Sequence, residues 1–144
     1  MTTKTDFTEE EWDTILEGPP AAGLVVSLAE RGGTFREAFS IGKAYTEARK
    51  QHGASQLLDE ITAAKPEVDR SHHASPEDMK SHSLEKLRDA VGLLQQKAQS
   101  EEVEDYRGFV VALAERVAAA KGDEPASAPE QQAIDEVRAA VGAA

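Results

Sequence analysis

The chain has 144 residues, one domain's worth of sequence and enough to bury a core without covalent staples. It holds no cysteine, which excludes disulfides, zinc–thiolate sites, iron–sulfur clusters and a thiol nucleophile. A net charge of −11 argues against nucleic acid, whose binding needs a basic surface to displace counterions, and against anionic membranes, while suiting a basic protein partner, a divalent cation, or plain repulsion between copies.

Met1 to Asp6 leads into no apolar run, and the apolar stretch Leu24 to Ala29 is far shorter than the ~20 residues of a membrane span. A cytoplasmic protein with no membrane insertion is therefore expected. Helical spacing of apolar residues then dominates, and seven helices are predicted. The first runs from Glu9 to Glu17, with Thr8 and Glu11 as a capping box and Trp12, Ile15 and Leu16 facing inward. Gly18 is expected to stop it, and Pro19-Pro20 to open the second helix, where a first turn tolerates proline. Gly32-Gly33 ends that helix.

The third helix starts at Thr34, boxed with Glu37, and carries Phe35, Phe39, Ile41 and Tyr45 on a broad apolar face until His52-Gly53. The fourth, Ser55 to Ala64, buries Leu57, Leu58 and Ile61. Residues 65–82 are polar and broken by Pro66 and Pro76, and read as a connector with one helical turn from Pro76 to Lys80. The fifth helix spans Leu84 to Ala98 on the spacing Leu84, Leu87, Val91, Leu94; the sixth spans Glu101 to Lys121. The seventh begins at Ser127, boxed with Glu130, and carries Ile134, Val137 and Val141.

A nine-residue segment occurs twice, as Gly-Leu-Val-Val-Ser-Leu-Ala-Glu-Arg at 23–31 and Gly-Phe-Val-Val-Ala-Leu-Ala-Glu-Arg at 108–116, identical at seven positions. Aligning the capping boxes that follow the two copies sets Ile41 on Ile134, Ala44 on Val137 and Ala48 on Val141. The pattern predicts an all-α, single-domain chain, 1–144, of about seven helices in two pseudo-repeated halves, about 8–64 and 83–142. Apolar residues cover most of the circumference of both repeat helices, so these are expected to form the centre of one bundle. Gly23 and Gly108 are expected to let backbones approach closely, and Glu30-Arg31 and Glu115-Arg116 to mark the core's edge or pair across helices.

The best metal candidate is His72, His73, His82 and Asp78, with Glu67, Asp69 and Glu77 nearby, because imidazole with carboxylate suits zinc, nickel or iron. A turn starting at Pro76 sets Asp78 and His82 at i, i+4, a usable ligand spacing. The rival reading is a solvated linker. The carboxylate pairs Glu9/Asp13 and Glu101/Asp105 stand at helix starts, where acidic groups complement the helix dipole; weak calcium or magnesium binding is the alternative. No phosphate-binding glycine loop, nucleophile elbow, His-Glu-x-x-His or Glu-x-x-His occurs, and Tyr45 and Tyr106 read as core residues with a polar tip.

The two repeat segments and the acidic patch at Glu101 to Asp105 resemble the TerB-like proteins of bacterial tellurite resistance, small acidic helical proteins built from two related halves. The stretch from Asp105 to Val110 and on through Ala133 to Arg138 also resembles a group of bacterial helical proteins. The likeness covers most of the chain through unspecific motifs. It implies a helical fold, a stress response and metal-ion handling through acidic residues. This chain has no dense aspartate cluster to align with such residues, so no site residue is carried over. The expectation is a non-enzymatic acidic binding or scaffold protein with a protein partner, no catalytic residue and no resident cofactor; a divalent-metal-binding protein is the alternative.

Overall fold

The computed structural model describes residues 4–28, 45–46, 60–61, 63, 76–118 and 128–142. Among them every regular element is helical. A short turn, Lys4–Asp6, leads into α1 (Glu9–Leu28); α2 (Pro76–Lys97), α3 (Ser100–Ala118) and α4 (Ala128–Val141) follow. These four helices all touch one another, and α1 lies most extensively along α2. The remaining described positions, Tyr45, Thr46, Glu60, Ile61 and Ala63, are helical too and fall within the predicted third and fourth helices.

The start of α1 follows the expected chemistry. The Thr8 N–H donates to Glu11 Oε1 at 2.9 Å, and the Glu11 N–H donates to Thr8 Oγ1 at 3.1 Å. This reciprocal box satisfies two backbone donors that the first turn leaves without helical partners. Phe7 precedes the cap and lies 6.0 Å, centroid to centroid, from Trp12. Those positions form a hydrophobic staple that fixes the angle at which the chain enters the helix.

Gly18 does not end α1. The helix runs unbroken to Leu28 with Pro19 and Pro20 inside it, so the first two predicted helices are one. Proline at 19 removes the N–H that would bond the Ile15 carbonyl, and an interior proline costs about 3 kcal/mol. The missing donor comes from another helix: the Tyr106 hydroxyl of α3 donates to the Ile15 carbonyl at 2.8 Å. Gly18 makes the approach possible, since a Cβ built on it would lie 2.0 Å from the Tyr106 hydroxyl and 3.6 Å from the Ala90 Cβ of α2. Three helices thus meet at one glycine.

Beyond that junction α1 is enclosed. Every residue from Gly18 to Val26 is buried, as a helix apolar all round its circumference requires. The second copy of the repeat behaves differently. Along α3, Val103, Tyr106, Val110, Leu113, Ala114 and Val117 are buried, while Gly108, Ala112 and Glu115 face solvent. This helix is amphipathic, and Gly108 mediates no close crossing: a Cβ there would meet nothing within 4 Å. The side chains of Ser27 and Leu28 and residues 29–31 of the first copy lie outside the described residues.

The remaining helices are pinned at their ends. Helix α2 begins at Pro76, eight residues before the predicted Leu84, because its polar first two turns continue the helix that the apolar spacing reveals only later. Its first turns are held to α4 by Lys80 Nζ, 2.8 Å from Glu136. Two residues separate α2 from α3, a length that forces a tight helical hairpin. There Glu102 Oε1 accepts the Gln99 N–H at 3.0 Å, the carboxylate half of a capping box. Helix α4 ends at Gly142, whose φ of 75° is a left-handed conformation favouring glycine. Its N–H bonds the Ala139 carbonyl at 3.2 Å, while Arg107 Nε of α3 donates to the Val141 carbonyl at 2.6 Å. Glu130 is 2% exposed at the third helical position, where a boxed carboxylate belongs; its predicted partner Ser127 lies outside the described residues.

Tyr106→Phe should cost about 1–2 kcal/mol in denaturant unfolding, because it leaves a buried carbonyl without its donor. In a Pro19→Ala background, where the helix supplies its own N–H to Ile15, the same change should cost clearly less. Glycine replacement separates the two kinds of site. Gly108→Ala should stabilise by up to about 1 kcal/mol, since an exposed helical glycine only adds entropy to the unfolded chain. Gly18→Ala should instead lower the melting temperature by displacing Tyr106.

Candidate functional site

The ligand set expected from the sequence divides at the start of α2. Asp78 and His82 stand one helical turn apart, both exposed and both near the helix's N-terminal end. The spacing presents the two side chains on one face. Between them Lys80 turns to Glu136 of α4, so this end of α2 is anchored. His72 and His73, with Glu67 and Asp69, lie outside the described residues. Among the described residues no three histidine, aspartate or glutamate side chains gather closely enough to hold a metal ion.

The carboxylate pairs occupy the helix starts. Glu9, Glu10 and Glu11 fill the first turn of α1, and Asp13 follows; Glu9, Glu10 and Asp13 are exposed. At the start of α3, Glu101 is exposed, Glu102 is buried in its cap, and Asp105 is half-buried. Partial burial pushes the Asp105 carboxyl above the ordinary aspartate range, and the neighbouring Glu101 and Glu102 push it further. Glu104 on the same helix pairs with Arg107. The arrangement complements the positive end of the helix and concentrates negative potential there.

Ion pairs cross between helices as the repeated Glu-Arg dipeptide suggests. Glu115 pairs with Arg138 of α4 at 2.6 Å. Lys86 of α2 lies 3.5 Å from Glu17 of α1. Glu30-Arg31 fall outside the described residues. Each of these partly exposed pairs contributes at most about 1 kcal/mol.

Both tyrosines are core residues. Tyr106 is 1% exposed and Tyr45 2%. Burial raises the Tyr106 pKa well above the usual tyrosine range, and Tyr45 adds to the rise, so the hydroxyl remains a donor to Ile15. Tyr45 meets Phe109 edge-on, ring centroids 5.2 Å apart.

One cluster was not singled out by sequence reading. Lys97, the last residue of α2, places Nζ 2.7 Å from Glu11 Oε1 and 3.4 Å from the Asp6 carbonyl, and 5.6 Å from the centre of the Phe7 ring. The lysine holds the Glu11 carboxyl below the usual glutamate range, with the Thr8 N–H assisting. Phe7 was findable, because an aromatic before a Thr-x-x-Glu box and another after it is the staple signature. Lys97 was not, since only the packing of α2 on α1 brings it there.

No helix among the described residues is long and apolar enough to cross a membrane. Comparison with protein-family models, with curated proteins and with solved structures finds no match to this chain.

The two perturbed carboxyls predict opposite pH signatures. Glu11 is favoured as a carboxylate in the fold, so its contribution is complete at neutral pH and lost as pH falls through its folded pKa. Glu11→Gln should therefore lower the melting temperature at pH 7, and the deficit should shrink as pH falls below the ordinary glutamate range. Asp105 is penalised when charged, so Asp105→Asn should raise the melting temperature at neutral pH, and that gain should shrink in acid as the native aspartate protonates.

Proposed function

We propose that this chain is a non-enzymatic acidic helical module that binds or scaffolds a protein partner presenting a basic surface. The observation that carries the reading is how polar groups are distributed. Buried ones serve the fold: Tyr106 on the Ile15 carbonyl joins two helices, and Glu102 on the Gln99 amide caps one. Carboxylates, 27 against 16 lysines and arginines over the whole chain, stand exposed at Glu9, Glu10, Asp13, Glu77 and Asp78. A surface of that kind attracts basic partners at long range and steers their approach, with a strong dependence on salt. The architecture we infer for it is seven predicted segments in two pseudo-repeated halves, their first two segments fused as α1. The resemblance to TerB-like proteins supports a role in a bacterial, cytoplasmic stress response.

A second reading, a divalent-metal binder of the tellurite-resistance type, is favoured by Asp78 and His82 sharing an exposed face of α2 downstream of His72 and His73. Calorimetric titration of the full chain with calcium, magnesium, zinc and nickel separates the two. The binding-module reading expects silent titrations and an unchanged melting temperature, because a ligand that binds only the folded state must raise it. The same protein should bind immobilised polylysine at low salt and release it as salt rises. Zinc-dependent stabilisation that His82→Ala abolishes would instead establish the metal reading, and failure to bind polylysine at low salt would remove the first.

A further inference from the structure

We draw no further inference here: the strongest candidate, the outward face of α3 on which Gly108 and Ala112 stand exposed between the carboxylates of Glu101 and Glu115, is a stripe of small residues flanked by acidic ones, and nothing in the structure shows what covers it.

Discussion

One carbonyl organises this bundle. Proline at position 19 deprives the Ile15 oxygen of its helical donor, and a buried acceptor left so would cost about 1–3 kcal/mol. The Tyr106 hydroxyl fills the vacancy from another helix, through a gap that exists because residue 18 has no side chain. Gly18, Pro19 and Tyr106 are therefore one interaction spread over two helices. It sets where α3 crosses α1, and α2 joins them through Ala90 at the same glycine. The position of α3 in turn places Arg107 at the end of α4 and Phe109 against Tyr45.

Much of the fold was legible where its causes are local. The Thr8–Glu11 box, the inward set Trp12 and Ile15, and the spacing Leu87, Val91, Leu94 all emerge as read, since each depends on residues within a turn or two. The continuity of α1 was illegible for the opposite reason. Glycine followed by two prolines is a terminator by every local rule. What overrides it is a hydroxyl 91 residues away in the sequence. The duplicated segment teaches a related lesson. The described start of the first copy, Gly23 to Val26, is enclosed in α1, while in the second copy Gly108 lies in solvent and Phe109 and Val111 are only half-buried. Small side chains are compatible with either setting, so the repeat constrains helix type more than surroundings.

The candidate acidic surface was legible in composition and less so in geometry. Excess carboxylate announces an acidic exterior, and the i, i+4 spacing correctly puts Asp78 and His82 on one exposed helical face. The contribution of Lys97 had no sequence signal, because it arises only where the end of one helix meets the start of another. Charge here has two uses. Among the described residues most carboxylates face outward and make the exterior negative. A few, Glu11, Glu102 and Glu136, are spent on helix ends and on fixing neighbours.

The pairing of Ile15 with Tyr106 also bears on how the molecule is made. During synthesis the chain emerges from its N-terminus, and early segments begin to order before later ones exist. The first half of α1 emerges first, but its join to the second half has no hydroxyl to complete it until residue 106 has been translated. The central rod is thus finished late, although it is synthesised before its partner helix, and the nascent chain carries the second half of α1 without its completing contact until α3 is made.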